Sequence, residues 1–308
     1  MSGRLVSITL QQFCEHDPQP RELLVRAGFD VRENRLGRRP QREELSTFLR
    51  GAHAVLAGVE PYDAELLASL PELRCISRCG VGTETIDLEA AQRLGIAIRT
   101  TPDEVVEPVA QMTVAMMLAL ARNLPHHLTE SRQQQWIKHT GTLLGEWTIG
   151  LIGYGRVGRA VARYLRIFGP RILVADPAVT AEEASVTVCP LAALLAESDL
   201  VSLHVARPHT EGPLMDRAAL ARMKRGSYLV NTARGFLVDE AALRDALQSG
   251  HVAGAALDVF ESEPYAGVLA TLPQVLCTPH VASLTRASRA AMELRSAQHI
   301  VECLTTDG

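Results

Sequence analysis

The chain has 308 residues, 47% of them hydrophobic and 21% charged, and its formal net charge at pH 7 is −4. This length exceeds the usual size of a domain with a single hydrophobic core. We therefore expect two domains of roughly 100 to 200 residues, with the functional site in a cleft between them. The small negative charge excludes the broad basic field that non-specific nucleic-acid binding needs. No apolar run approaches the roughly 18 residues of a membrane span, and the N-terminus lacks a signal-peptide pattern, so we expect a cytoplasmic protein with neither a nucleic-acid nor a membrane partner.

The first hundred residues alternate short apolar runs with helical patterns. This rhythm predicts strands joined by helices, and hence a parallel sheet. The predicted strands are LVSIT near the N-terminus, AVLAG at 54–58 and CISRC at 75–79, and the predicted helices span 20–27, 63–69 and 88–94. The six cysteines of the chain are scattered, with no CxxC pair and no zinc-like spacing to histidine, so we expect reduced thiols and no metal site.

The stretch 103–124 predicts a helix that is apolar almost all round between Val109 and Leu120. An exposed amphipathic helix would have a polar face, so this helix must be buried in a domain core or in a subunit interface. The polar segment SRQQQWIKHTG that follows could extend over a second subunit and pack against it. We therefore expect a homodimer.

A second series of alternating strands and helices begins at 147. Its predicted strands are 147–155, 171–176, 200–205, 227–233, 254–260 and 275–280, and its helices are 156–168, 190–197 and 239–249. The last helix, 286–304, returns to the first domain, because the second series is complete without it. We therefore predict an α/β protein with two Rossmann-like or flavodoxin-like domains, each with a parallel sheet. The substrate domain is discontinuous (1–100 plus 285–308), and the NAD domain is inserted (101–284).

The segment TIGLIGYGRVGRAV carries Gly153, Gly155 and Gly158 in GxGxxG spacing, directly after a strand and at the start of a helix. In this context the glycines indicate a dinucleotide site: they allow a tight turn, close approach of the pyrophosphate, and close packing of helix on strand. Asp176 ends the next strand, where an acidic side chain binds the adenosine ribose and repels a 2′-phosphate. The cofactor expected is NAD rather than NADP.

Charged side chains follow three later strands of this series. Arg234 in NTARG could hold a carboxylate through its planar fork. Asp258 and Glu263 lie in DVFESEP, and His280 lies in TPHVAS. Histidine exchanges protons near neutral pH and a carboxylate partner stabilises its protonated form, so the set indicates acid/base chemistry on a small anionic substrate.

Several long motifs, in order between residues 54 and 295, resemble the D-isomer-specific 2-hydroxyacid dehydrogenases, particularly the phosphoglycerate dehydrogenase-like branch. They are RCGVGTETID at 78–87, TTPDEVVEPVAQ at 100–111, GLIGYGRVGRAVA at 150–162, LVNTARGFLVDEAAL at 229–243, GAALDVFESEP at 254–264 and TPHVAS at 278–283. The resemblance implies hydride transfer between NAD and C2 of a small 2-hydroxy or 2-oxo acid.

The resemblance also implies a role for each matching residue. Arg234 would bind the substrate carboxylate and reacting oxygen, His280 would be the general acid/base, and Glu263 would pair with His280. The backbone amides around Gly80, Val81 and Gly82 would receive the substrate carboxylate. Further cofactor contacts would come from Arg156, Val157, Val205, Thr232, Ala233, Asp258 and Ser283, with Arg234 and His280 also lying at the cofactor.

Two departures from the family pattern bear on the substrate. The segment LAGVEP at 56–61 lacks the basic side chains that the resemblance places near the phosphate of 3-phosphoglycerate, so we expect an unphosphorylated acid. In LHVARPHTEG, Arg207 could contact cofactor phosphate, substrate or only solvent, and the sequence leaves these alternatives open. Two other functions also stay open: an NAD(H)-sensing binding protein like the corepressors that share this fold, and a phosphite-type dehydrogenase.

Overall fold

The structure is a computed structural model that describes residues 3–179, 186–206 and 212–305. The chain divides into two compact units, which we call unit 1 (Met1–Val105 with Leu284–Gly308) and unit 2 (Val106–Ser283). The sequence analysis placed the first boundary five residues earlier, between 100 and 101, and the second between 284 and 285. Arg207, whose role the sequence left open, lies outside the described residues.

Unit 1 is built on a five-stranded parallel sheet with the strand order β2-β1-β3-β4-β5. This is the flavodoxin-like order, in which the chain runs to one side of the first strand and then to the other. The C-terminal helix α11 packs on α1, β3 and β4. The strands are β1 Leu5–Ile8, β2 Asp30–Glu33, β3 Ala52–Ala57, β4 Cys75–Arg78 and β5 Ala97–Thr100, and the helices are α1 Gln19–Arg26, α2 Arg42–Leu49, α3 Ala64–Ala68, α4 Leu88–Arg93 and α11 Arg286–Thr305.

Unit 2 is built on a seven-stranded parallel sheet with the order β12-β11-β10-β9-β6-β7-β8. Read from β6, this is the Rossmann order with one additional strand. The strands are β6 Thr148–Ile152, β7 Arg171–Ala175, β8 Thr187–Val188, β9 Leu200–Leu203, β10 Ser227–Asn231, β11 Val252–Leu257 and β12 Val275–Cys277. The helices are α5 Val106–Ala121, α6 Leu124–Arg132, α7 Arg156–Leu165, α8 Leu191–Glu197, α9 Arg217–Arg222 and α10 Glu240–Gln248. The prediction of two parallel α/β sheets is confirmed.

Helices cover the central strands of both sheets, which explains why most residues of these strands are apolar. All four residues of β9 are buried, as expected of a strand that is covered on both faces. In unit 1, Ile8, Leu56 and Ile76 from three adjacent strands are fully buried. None of the helices in the described ranges has the length and apolar character needed to cross a membrane.

The single helix predicted over 103–124 is wrong at both ends. Helix α5 begins at Val106 and ends at Ala121, and α6 then starts at Leu124. Asn123 between them has a φ of +52°, a left-handed conformation that asparagine adopts more readily than most residues. Pro125 lies in the first turn of α6, where its missing N–H costs no helical hydrogen bond. Helix α5 is largely buried and packs against α7 in the core of unit 2.

Candidate active site

The predicted site residues of unit 2 follow the carboxyl ends of its parallel strands, which meet at one edge of the sheet. The strand order reverses between β6 and β9, and loops diverge from such a point to leave a ligand crevice. The predicted residues are Gly153, Gly155, Arg156, Val157 and Gly158 after β6, Asp176 after β7, Val205 after β9, Thr232, Ala233 and Arg234 after β10, Asp258 and Glu263 after β11, and His280 and Ser283 after β12.

The turn between β6 and α7 depends on glycine at two of its three predicted positions. Gly153 has a φ of +93°, and a Cβ added there would lie 2.6 Å from the carbonyl oxygen of His204. A Cβ at Gly158 would lie 2.4 Å from the carbonyl oxygen of Gly153. Among the described residues, a Cβ at Gly155 would meet no atom within 4 Å, so they leave an open surface beside the N-terminus of α7. Helix N-termini bind phosphate through their backbone N–H groups, so the turn fits the pyrophosphate of a dinucleotide.

Asp176 holds a carboxylate beside this turn. Its Oδ2 accepts a hydrogen bond from the backbone N–H of Tyr154 at 2.7 Å, and its Oδ1 accepts one from Ala178 at 2.8 Å. The two bonds fix a negative charge at the end of β7, where this fold presents an acidic residue to the adenosine ribose. The same charge repels the 2′-phosphate of NADP, so the site fits NAD.

His204, which the sequence analysis did not single out, lies directly after β9 and packs against the glycine turn. Both ring nitrogens are buried, and neither has a hydrogen-bond partner within the described ranges of the chain. Burial lowers the pKa of His204 to about 4, so the ring is neutral near pH 7 and cannot serve as the proton donor there. A buried polar ring of this kind can be satisfied by a bound ligand. Its position at a strand end was the available sequence signal.

Two neighbouring residues position Arg234 at the end of β10. The Asn231 amide donates to the carbonyl oxygen of Arg234 at 2.8 Å, and its oxygen accepts from the N–H of Ala233 at 3.0 Å. The Arg234 guanidinium donates to the carbonyl oxygen of Ala233 at 2.7 Å. Gly235 lies against the backbone of Phe260, because a Cβ added there would be 1.9 Å from the Phe260 carbonyl carbon. The loops after β10 and β11 are thus in contact one residue beyond Arg234.

The Thr232 side chain binds within the core of unit 2. It is buried, and its hydroxyl lies 2.8 Å from the hydroxyl of Thr113 in α5. Thr113 also donates to the carbonyl oxygen of Val109 at 2.7 Å, so it accepts from Thr232. The hydroxyl of Thr232 therefore links the end of β10 to helix α5 by a hydrogen bond. The role that this contact gives to the Thr232 hydroxyl is structural.

His280 and Glu263, which were expected to pair, lie within hydrogen-bond distance of each other. The Nδ1 atom of His280 lies 2.8 Å from Oε2 of Glu263, and the other Glu263 oxygen accepts from the backbone N–H of Phe260 at 3.1 Å. His280 has a φ of +54°, and its ring is half exposed. Because Nδ1 is engaged by the carboxylate, Nε2 is the nitrogen that can exchange a proton with a substrate.

Asp258 holds the loop that carries His280. This carboxylate is fully buried and accepts from the Thr278 hydroxyl at 2.5 Å and from the N–H groups of Val281 and Ala282 at 2.9 Å each. The Asp258 carbonyl oxygen also accepts from the N–H of His280 at 2.8 Å. These bonds account for the positive φ of His280, which costs backbone energy in a non-glycine residue. The described contacts of the Asp258 side chain thus give it a structural role, whereas the resemblance implied a contact at the nicotinamide.

In unit 1, the residues predicted to receive a carboxylate follow β4. Gly80 has a φ of +140°, and its N–H already donates to the Thr101 hydroxyl at 2.8 Å. That N–H is therefore engaged in the fold. Val81 and Gly82 are the two remaining residues of the predicted group.

We expect Asp258→Asn to destabilise the chain and lower turnover, because an amide nitrogen cannot accept the bonds that one carboxylate oxygen accepts. Loss of hydrogen bonds to a buried charged group lowers the free energy of unfolding by about 1.5–3 kcal/mol per bond. The matched control is Asp216→Asn, since Asp216 caps α9 by accepting from Ala219 at 2.7 Å and asparagine caps a helix equally well. Thermal and urea unfolding of both variants measure the effect. Equal stability of the two variants would contradict the role given to Asp258.

Comparisons with known proteins agree on one family. The profile described as D-isomer specific 2-hydroxyacid dehydrogenase, NAD binding domain, matches residues 114–282. A glyoxylate reductase from Thermofilum pendens is 38% identical over 280 residues, which cover 86% of this chain and 82% of the relative. A D-3-phosphoglycerate dehydrogenase from Mycobacterium tuberculosis is 37% identical over 254 residues, 80% of this chain, and this chain spans about half of that relative's length (48%).

A solved structure has the same fold. It is the D-lactate dehydrogenase of Aquifex aeolicus complexed with NAD and lactic acid, with a TM-score of 0.84 and 29% identity over 99% of this chain and 96% of that chain. The profile match lies within unit 2, and the matches together confirm the resemblance seen in the sequence. The chain belongs to the D-isomer specific 2-hydroxyacid dehydrogenase family.

Proposed function

We propose that the chain catalyses the NAD-dependent interconversion of a small 2-oxo acid and the corresponding D-2-hydroxy acid. The observation that carries this proposal is the hydrogen bond between His280 and Glu263 on loops at the same sheet edge as the glycine turn. A histidine fixed by a carboxylate can exchange a proton with an alcohol or carbonyl oxygen. Lactate, glyoxylate and hydroxypyruvate appear in the names of relatives and are the substrates we test.

In the proposed reduction, Arg234, His280 and Glu263 of unit 2 would each have a separate role. NAD(H), when bound, supplies the hydride that C2 of the substrate receives. Arg234 orients the 2-oxo acid by its carboxylate and polarises the C2 oxygen. His280 gives a proton from Nε2 to that oxygen as the C–O π bond breaks and the hydroxyl forms. Glu263 stabilises the protonated ring through Nδ1, and in the oxidising direction His280 takes the proton back.

We propose that backbone amides after β4 bind a substrate carboxylate. The N–H groups of Val81 and Gly82 would receive the carboxylate, while the N–H of Gly80 keeps its bond to Thr101. Gly80 contributes by its conformation, since a φ of +140° is open to glycine and strained in other residues.

We propose that the substrate is unphosphorylated. Glu60 follows β3 and is buried, and its carboxylate accepts from the Thr9 hydroxyl at 2.8 Å and from the Gly58 N–H at 2.9 Å. Arg78 at the end of β4 is a cation in this neighbourhood. Burial lowers the pKa of its guanidinium, while the nearby Glu60 charge acts in the opposite direction. A phosphate would therefore compete with a buried carboxylate for this cation.

We propose that the chain forms a homodimer through α6 and the segment 133–143, which together we call the arm. Trp136 is 90% exposed, and Leu128, Ile137 and Leu143 in the arm are at least half exposed. A cluster of exposed large apolar side chains is typical of an interaction surface. We propose that a second copy of the chain covers this surface.

The central test of the catalytic proposal is His280→Asn, since asparagine tolerates the positive φ at this position but lacks the imidazole. We expect turnover to fall by roughly 10²- to 10⁴-fold, the usual contribution of a general acid, with NADH affinity unchanged. Glu263→Gln should lower turnover too, because the negative charge beside Nδ1 is lost and the amide nitrogen cannot accept one of the two hydrogen bonds that the carboxylate accepts from His280 and Phe260. His251→Asn, in the same unit and bonded through Nε2 to the Leu220 carbonyl oxygen, is the control. Full turnover in His280→Asn would remove His280 from the mechanism.

A substrate panel tests the class of acid. We expect NADH oxidation with glyoxylate, hydroxypyruvate or pyruvate to have a higher kcat/KM than with 3-phosphohydroxypyruvate, and NADPH to be the poorer reductant because of Asp176. Glu60→Gln removes the competing charge and should narrow the difference between phosphorylated and unphosphorylated acids. A preference of the unchanged chain for 3-phosphohydroxypyruvate would contradict the proposal.

Analytical ultracentrifugation tests the homodimer. We expect a mass of twice the 33.5 kDa chain for the wild type and a shift toward the monomer in Trp136→Asp. Ile167→Asp is the matched control, because Ile167 is 86% exposed but lies outside the arm. A monomeric wild type, or an equal response of the two variants, would contradict a dimer formed through the arm.

A further inference from the structure

Three histidines and one glutamate lie close together where the segment 133–143 folds back on α6. His126 and Glu130 are four residues apart on this helix and therefore share a face. His139 returns to that face, with Nε2 at 2.8 Å and 2.9 Å from the two oxygens of Glu130. The rings of His126 and His127 each lie 5.3 Å from the ring of His139, measured between centroids.

A hydrogen-bonded pair accounts for only part of this cluster. The hydrogen bond between His139 and Glu130 holds the segment 133–143 on α6, and it needs only one imidazole and one carboxylate. It gives no reason for His126 to contribute a second imidazole on the same side. The ligand atoms of His126, Glu130 and His139 all lie within 4.8 Å of one another, and all three residues are partly buried. Two imidazoles and a carboxylate are a ligand set that binds divalent transition metals.

We propose that His126, Glu130 and His139 bind a divalent transition-metal ion of the Zn²⁺ class. The expectation from the sequence was that the chain has no metal site, and it rested on the spacing of the cysteines. None of the three ligands belongs to the loops that carry Arg234, Glu263 and His280, so this site is separate from the catalytic residues proposed above.

The geometry requires a small contraction on binding. Zinc bonds to nitrogen and oxygen of about 2.0–2.2 Å in a tetrahedron separate the ligand atoms by about 3.4 Å. The largest separation, at most 4.8 Å, would therefore shorten by up to about 1.4 Å. The 2.8 Å between Nε2 of His139 and Glu130 would lengthen by about 0.6 Å, because the ion would replace the proton of that hydrogen bond. His139 lies in a segment outside helices and strands, where its ring can move inward while His126 and Glu130 stay on the helix. Water or His127 would complete the coordination.

A bound ion would join α6 to the segment 133–143. The residues between Glu130 and His139 include Trp136, the most exposed large apolar side chain of the arm. The metal would thereby hold this part of the arm in one conformation. Its role is structural, and binding to the folded chain alone raises the unfolding temperature.

Zinc titration of the full chain tests the proposal. The chain is treated with EDTA, freed of the chelator, and titrated with Zn²⁺ alone by calorimetry, with Co²⁺ absorption as a report on nitrogen and oxygen ligands in a tetrahedron. We expect saturable binding of one ion per chain and an increase in unfolding temperature. Absence of saturable binding would overturn the proposal.

His126→Gln is the discriminating variant, because it removes a proposed ligand and leaves the bond between His139 and Glu130 in place. We expect the metal-free variant to unfold at the wild-type temperature but to bind Zn²⁺ at least about tenfold more weakly. His139→Gln should lose binding as well, whereas His16→Gln, an exposed histidine in unit 1, should bind normally. Wild-type Zn²⁺ affinity in His126→Gln would assign the ion to other groups, such as the cysteine thiols, and would overturn the site.

Discussion

The candidate active site depends on the hydrogen bonds that the buried carboxylate of Asp258 accepts. One charged group at the end of β11 accepts three hydrogen bonds from the segment 278–282. Because a buried charge without partners is costly, the segment is held firmly to the strand. His280 lies in the middle of this segment with a backbone conformation that most residues avoid. The side chain that we propose as the proton donor is thereby fixed through its own backbone, and its ring is fixed through Glu263.

The Rossmann topology explains why so few residues create the whole site of unit 2. Parallel strands end at one edge, so each strand delivers one short loop to the same region. The loop after β6 contributes an open helix N-terminus, and the loop after β7 contributes a fixed negative charge. The loops after β10 and β11 contact each other at Gly235, where a side chain would collide with the Phe260 backbone. The arrangement of these loops thus depends on glycines and on the buried carboxylate of Asp258.

Much of this arrangement could be predicted from the sequence, because strand ends and glycine spacing are local signals. The spacing of Gly153, Gly155 and Gly158 after an apolar strand predicted the turn, and the strand-end positions predicted the pairing of Glu263 with His280. The roles of Asp258 and Thr232 could not be predicted, since their partners are distant in sequence and a buried acceptor looks like an exposed one. The break at Asn123 was missed because helical periodicity continued through it. The cluster around Glu130 was missed because His139 returns from a segment without periodic pattern.

The most direct test of the central claim is the fate of the transferred hydrogen. The 2-oxo acid that the panel shows to be reduced is incubated with NADH that carries deuterium at the transferred position of the nicotinamide ring, and the product is analysed by mass spectrometry and chiral chromatography. We expect a D-2-hydroxy acid with deuterium at C2, since in the proposed mechanism hydride goes to carbon and His280 supplies a solvent proton to oxygen. An L product, or a product without deuterium at C2, would contradict it.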